Sequence, residues 1–300
     1  DTMRYPTGGM SSTEHFLPPG VLPERAFIET CVTFTWMQWN LRLHEIVGDE
    51  RALDLVEEAG WNQLIAALAP DGGTWTYHLP LTGPKRFARR WLQGVTGKTK
   101  GAPVSCCHTN GERGLSLAPL AAYAESGGAL FVNLYYDSRV ETTLGGLPRI
   151  LEQKVAFGRD YAVTLKIAQP RDAALRLALR VPPWAEAVRV SGAPAVRRGR
   201  RLWLTARGPR PVVVRFALRP RLLALGCELR GRYVLAYGPL LFALDKPPRG
   251  FTLETTALAV NPRRPAVKVG SRNGLPVLRA PVARMADSVR SEIRPGAAKK

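Results

Sequence analysis

A layer of α-helices followed by an antiparallel β-sandwich is the fold class this sequence predicts, and three observations carry it. Up to about residue 126 the apolar residues are spaced as on helices. Beyond Gly127-Gly128 they fall into short runs rich in Val, Leu, Phe and Tyr, and Gly, Pro and Asp separate those runs as turn residues do between sandwich strands.

The chain opens with a loop, Thr7-Gly8-Gly9-Met10-Ser11-Ser12-Thr13-Glu14-His15-Phe16, whose carboxylate and imidazole are either candidates for proton transfer or part of a solvated turn. From Glu29 to about Val47, Val32, Phe34, Trp36, Met37, Trp39, Leu41, Leu43 and Ile46 are dense enough for a largely buried helix. Gly48 stops it, and His44 reads as a structural histidine. A second helix spans about Glu50 to Leu68, with Leu53, Leu55, Val56, Trp61, Leu64 and Ile65 inward; Pro70-Asp71-Gly72-Gly73 ends it. Trp75 to Leu81 is a short extended segment carrying Tyr77 and His78. A third helix is predicted from about Glu112 to Ser126, capped by Thr109 or Asn110 and kinked or split at Pro119. Strands follow at 130–136, 163–167, 175–181, 188–190, 202–204 and 212–216. A further pair around Tyr233 to Leu244 turns at Gly238-Pro239. The last forty residues, low in aromatics and rich in Arg, Pro and Ala, predict a poorly ordered tail. The domain boundaries expected from this are 1–127, 128–222 and 223–300.

Three hundred residues with 45% hydrophobic and 22% charged content suit about two globular domains, and no apolar run reaches the ~18 residues a membrane span needs. The net charge of +19 resides in one half: residues 1–150 carry 13 Lys and Arg against 15 Asp and Glu, and residues 151–300 carry 30 against 9. The excess is mostly arginine, dispersed along strand-like segments except for Arg197, Arg198, Arg200 and Arg201. Readers of single-stranded nucleic acid interleave several stacking aromatics with such charges, and only Trp203 is placed for that, so a solvated arginine-rich face is the better reading.

Three of the four cysteines sit in two short elements, Glu29-Thr30-Cys31 and Cys106-Cys107. Three thiols and a carboxylate suit a four-coordinate zinc ion; buried free cysteines are the alternative. Four cysteines are too few for a disulfide scaffold and favour a reducing, cytoplasmic compartment over secretion.

In order along the chain stand Thr7-Gly8-Gly9, Glu14, Glu29-Thr30-Cys31, Ala69-Pro70-Asp71-Gly72, Cys106-Cys107-His108-Thr109-Asn110-Gly111, Leu130-Phe131-Val132-Asn133-Leu134-Tyr135, Leu179-Arg180-Val181-Pro182-Pro183-Trp184-Ala185 and Tyr237-Gly238-Pro239-Leu240. Over roughly residues 5 to 245 this succession resembles the β-L-arabinofuranosidase family, glycoside hydrolase family 127. The resemblance implies part of an (α/α)6 barrel followed by β-sandwich domains, and a retaining hydrolase releasing β-L-arabinofuranose from an oligosaccharide or glycoconjugate. It matches Glu29, Cys31, Cys106 and Cys107 to zinc ligands, Cys106 to the nucleophile, Glu14 to the acid/base and Tyr77 to a sugar contact. His108 is adjacent but matches no ligand, and Cys227 reads as a structural thiol. The long helical stretch that opens the family's barrel has no counterpart, so the chain is expected to be a fragment, poorly active by itself, and a homo-oligomer is possible. The competing readings are a structural zinc protein with a carbohydrate- or partner-binding sandwich, and a nucleic-acid module resting on the basic half.

Overall fold

The computed structural model describes residues 3–10, 16–22, 27–80, 106–170, 173–226, 230, 232–243, 249, 256–258, 267–272, 275–280 and 282–284. Glu14, His15 and Cys227 lie outside the described residues. The described chain is mostly strand, with few helices.

Strand β1 (Phe27–Glu29) leads directly into α1 (Thr30–Val47), which ends at Gly48 in the left-handed region; the His44 ring holds the corner through Asp49 O at 3.1 Å. Helix α2 (Glu50–Ala59) is capped by the Asp49 side chain. It continues through a π-helical turn, Gly60–Leu64, into the short α3 (Ile65–Ala67). The extra residue of a π turn advances the helical phase, and Ile65, expected inward, is exposed as a result. The chain then forms β2 (His78–Pro80), antiparallel to β1, and α4 (Cys106–Ala122).

Helices α1, α2 and α4 pack around Phe34, Met37, Leu41, Leu53, Val56, Leu64, Trp75 and Leu117. Helix α1 is less buried than its composition predicts: Trp39 is 65% exposed and Ile46 80%. Two corrections concern α4. It begins at Cys106, not Glu112, so the cysteines lie in its first turn. It ends at Ala122, where the backbone turns into β3 (Tyr123–Ser126); the Gly127-Gly128 turn, both residues at positive φ, folds β3 against β4 (Ala129–Val132). Sheet pairing thus overrides the helical propensity of the Ala-rich stretch. Pro119 sits inside α4 without splitting it.

The sandwich has two five-stranded sheets. The first, in order β10 (Ala195–Arg198), β11 (Arg201–Arg207), β8 (Ala174–Arg180), β4 and β3, is antiparallel except that β4 runs parallel to β8. The second runs β5 (Ser138–Leu144), β6 (Leu147–Phe157), β7 (Asp160–Ala168), β12 (Val212–Ala217) and β9 (Ala187–Ser191). Alternation sends Leu130, Leu151, Val163, Leu165, Leu175, Leu177, Leu179, Leu204, Val214 and Phe216 into the shared core.

A third sheet joins β13 (Arg221–Ala224), β14 (Tyr233–Tyr237) and β15 (Leu240–Phe242). Further on, β16 (Thr256–Leu258) pairs with β19 (Val282–Arg284), and β17 (Lys268–Arg272) with β18 (Leu275–Arg279). Strand pairs therefore occur in part of the stretch whose composition predicted a poorly ordered tail: Lys268–Arg272 and Leu275–Arg279 pair along their length despite the flanking arginines.

The arginine-rich face is not wholly solvated either. Arg180 is 0% exposed, its Nη1 2.6 Å from Asp54 and its Nη2 2.7 Å from Glu57, while Nε donates to Asn133 O at 2.6 Å. Arg201 is also buried, its Nε 2.6 Å from Glu50 Oε1 and its Nη2 donating to Asn133 Oδ1. Trp184 Nε1 donates to Glu57 Oε2 at 2.9 Å. These side chains fasten α2 to the first sheet.

Candidate active site

The end of β1, the first turn of α1, the segment before β2 and the first turn of α4 meet at one point. Thr30 fixes two of them: its backbone N–H donates to Tyr77 O at 3.1 Å, and its hydroxyl donates to Thr76 O at 2.8 Å. Helix α4 is brought close by Gly111 and Gly114. A Cβ on Gly111 would stand 2.2 Å from the buried Trp75 ring, and one on Gly114 2.8 Å from Leu64. His108 Nε2 lies 2.6 Å from Thr74 Oγ1, so its role is to anchor the first turn of α4.

This packing brings Glu29, Cys31, Cys106 and Cys107 together, with one donor atom from each within 4.8 Å of all the others. Cys31 Sγ is 3.1 Å from Cys107 Sγ, and Cys107 Sγ is 4.0 Å from Glu29 Oε1 and 3.6 Å from Tyr77 O. Glu29 occupies the cap position of α1, yet its carboxylate makes no capping hydrogen bond. Glu29 and Cys107 are buried, Cys31 is half-buried, and Cys106 is exposed. None of the three described cysteines forms a disulfide.

The Cys31 thiol is lowered to about 7, chiefly by its hydrogen bond with Cys107 and against the effect of burial; Asn110 also hydrogen-bonds to it. The Cys107 thiol is pushed up by the same contact with Cys31 and by burial. Burial, then Cys31, also raises Cys106, while a hydrogen bond from the Tyr77 side chain pulls the other way. Without a cation these groups cannot all ionise, because each negative charge opposes the next. A tetrahedral ion holding sulfur at ~2.3 Å and oxygen at ~2.0 Å separates its ligands by ~3.5 to 3.8 Å. The observed spacings bracket that range, so the four residues fit a bound metal ion. Both α1 and α4 point their N-terminal ends at the cluster, which adds to the preference for anionic donors.

All four sequence-predicted ligands and Tyr77 are thus brought together. Glu14 falls outside the described residues. The Thr7-Gly8-Gly9 motif upstream of it is seated against α2 and the π turn: Thr7 Oγ1 donates to Gln63 Oε1 at 2.5 Å, and Gly8, at φ +85°, lies against the Ala59 backbone where a Cβ would stand 2.6 Å away. Sequence reasoning missed Asn110 as a partner of Cys31. Its spacing of four from Cys106, one helical turn, was the available signal once the helix start is known.

Comparison with known proteins gives the family. The profile described as β-L-arabinofuranosidase, GH127 catalytic domain, matches residues 1–119, and that of the GH127 middle domain matches residues 129–205, together about two thirds of the chain. The chain belongs to the β-L-arabinofuranosidase family, GH127. No curated protein matches it significantly. Among solved structures, a GH127 β-L-arabinofuranosidase from Geobacillus stearothermophilus T6 is similar at TM-score 0.74 and 23% identity over 95% of this chain and 51% of that one. A second GH127 β-arabinofuranosidase gives 0.77 and 22% over 95% and 48%, and a structure named as a glycoside hydrolase gives 0.70 and 21% over 92% and 51%. At these identities the likeness is one of fold, and the GH127 chain spans about half the length of the structures it matches. No described helix is long and apolar enough to cross a membrane.

Proposed function

We propose that this GH127 chain carries the centre of a retaining glycosidase that releases non-reducing-end β-L-arabinofuranose from an oligosaccharide or glycoconjugate. The observation that carries the reading is the exposure of Cys106, a thiol in a cluster whose other donors are buried or half-buried, with Tyr77 hydrogen-bonded to it. Glu29, Cys31, Cys106 and Cys107 would hold a zinc ion, for which three sulfurs and one oxygen are a suitable set. When bound, zinc would keep the Cys106 sulfur as a thiolate at neutral pH.

The rest follows from the chain's own side chains. Cys106 Sγ attacks the anomeric carbon as the glycosidic C–O bond breaks, and Glu14, in its carboxylic acid form, donates its proton to the leaving oxygen. Glu14, now a carboxylate, takes a proton from water, which attacks the same carbon. The carbon–sulfur bond breaks and Cys106 departs as a thiolate. Two displacements on one carbon retain its configuration. Tyr77, beside the sulfur, positions the sugar ring. Helices α1, α2 and α4 read as part of an (α/α)6 barrel, and exposed Trp39, Ile46 and Leu120 are apolar positions that further barrel helices would cover. The domains are read as 1–127, 128–222 and 223–300, and the free thiols suit a reducing compartment.

Cys106→Ser in the full-length protein should abolish turnover of an aryl β-L-arabinofuranoside. Glu14→Gln should leave the first step on that activated substrate and stall the second, so that intact mass spectrometry finds a pentosyl adduct on Cys106. Retention of most activity by Cys106→Ser would leave the sulfur as a metal ligand only and favour a closed, structural zinc site.

A further inference from the structure

The outward face of the first sheet is covered by α2 at one end and open at the other. Along β11, Leu202, Leu204 and Ala206 point into the core, whereas Arg201, Trp203, Thr205 and Arg207 point outward. Arg201 is engaged by Glu50 of α2. Beyond it, Trp203 faces Val196 on β10 and Ala178 on β8, and Thr205 faces Arg176. With Arg198 and Arg207 these side chains line an open groove of about 520 Å³. The Trp203 ring meets Phe131 edge-on, centroids 5.5 Å apart, and the Arg176 guanidinium lies over one face of it, 5.7 Å from its centroid, while Nη1 donates to Gly127 O at 3.3 Å. Among the described residues, Arg176, Arg198 and Arg207 form no ion pair with a carboxylate.

Three guanidiniums around one groove without a carboxylate among them form a site for anions, and the planar fork of arginine matches a carboxylate in particular. An indole at the floor adds a second requirement. Its electron-rich face attracts the weakly positive C–H bonds on the flat side of a sugar ring, while the sugar hydroxyls remain available to groups such as Thr205. One aromatic suits one sugar ring, whereas a nucleic-acid strand needs a series of stacking platforms. The groove's volume suits roughly two or three sugar rings.

We propose that this groove is a binding site for an acidic glycan segment: Trp203 stacks on a uronate ring, and Arg176, Arg198 and Arg207 take the carboxylates of that sugar and its neighbours. The site lies on the sandwich, away from the cysteine cluster, so it would anchor a charged region of the polymer whose neutral sugar is cleaved. The choice of carbohydrate as the ligand rests on the glycosidase reading; the preference for an anion does not.

Isothermal calorimetry with trigalacturonate tests it, against the methyl-esterified trisaccharide, which removes charge alone, and oligothymidine of similar length. Trigalacturonate should bind. Trp203→Ala and the exposed double variant Arg198→Gln/Arg207→Gln should each weaken it about tenfold, as should esterification. In the full-length protein, hydrolysis of a small aryl arabinofuranoside should be unchanged in both. The double variant keeps the test valid if Trp203→Ala fails to fold. No binding of trigalacturonate, equal binding of its ester, or binding unaffected by either variant overturns the proposal, as does oligothymidine binding more tightly and losing affinity in the same variants. Acidic-glycan binding by a full-length protein without arabinofuranosidase activity would count against the glycosidase reading and leave this site standing, and the reverse result would do the opposite.

Discussion

Acidification should remove zinc from the cysteine cluster far more steeply than a single ligand's titration would. A thiol must lose its proton to coordinate, so the slope of log affinity against pH equals the number of protons displaced. In the metal-free chain Cys31 titrates at about 7, lowered by its 3.1 Å contact with Cys107, whereas Cys106 and Cys107 are held above the ordinary thiol value of 9.0. Above pH 7, then, two protons are displaced, and affinity should fall about a hundredfold per pH unit; below pH 7 Cys31 adds a third, and the fall approaches about a thousandfold. Between pH 8 and pH 6 the total is about five orders of magnitude. Competition with a chromophoric chelator at half-unit intervals measures the slope, and calorimetry in buffers of different ionisation enthalpy counts the protons independently. Below pH 7, Cys107→Ser should lower the slope by one decade per unit. A slope of one decade or less across the whole range would refute three-thiolate ligation, because at most one sulfur would then be changing protonation on binding.

Two further predictions concern the packing that assembles the site. Gly111→Ala places a methyl group 2.2 Å from the Trp75 ring, so α4 must shift; thermal melting should show a loss of about 1–3 kcal/mol, and zinc affinity should fall with it. Unchanged affinity would mean that α4 holds its cysteines without that close approach. Glu57→Ala strips Arg180 of one of its two carboxylates and leaves Trp184 Nε1 without its acceptor; urea denaturation should show a loss of about 3–5 kcal/mol, and a loss below 1 would mean that solvent reaches the buried guanidinium.

How much of this the sequence disclosed depends on the scale of the signal. Helix α1 and the strands of the sandwich core were legible because their apolar residues repeat over several turns or alternations. The start of α4 was not: Thr109 and Asn110 both resemble caps, yet the helix already includes Cys106, and its seating depends on Gly111 and Gly114 meeting Trp75 and Leu64, contacts of high sequence separation. The hairpin of β5 and β6 escaped notice because its strands mix charged and apolar residues, and only the Gly145-Gly146 turn marks it. The clustering of Glu29, Cys31, Cys106 and Cys107 was legible because motif order carried it. Asn110 was not, since its relation to Cys31 exists only once two helix N-termini are brought face to face.

The charge asymmetry between the two halves has a structural origin that composition alone conceals. Glu50, Asp54, Glu57 and Glu58 fall at spacings of four, three and one, which places them along one side of α2 while Leu53 and Val56 face the helical core. Three of those carboxylates meet Arg180, Arg200 and Arg201 of the sandwich, and the fourth, Glu58, pairs with Arg4. An acidic helix against a basic sheet edge therefore accounts for part of the surplus in each half, and fixes the register of one layer on the other, since moving α2 by one turn would leave Arg180 buried without its partners. The remaining positive charge on that sheet lies past the end of α2, where no described helix supplies carboxylates. Arginines there cost nothing to solvate individually, but three around a single tryptophan oppose one another, an arrangement that an anionic ligand relieves and a neutral one does not.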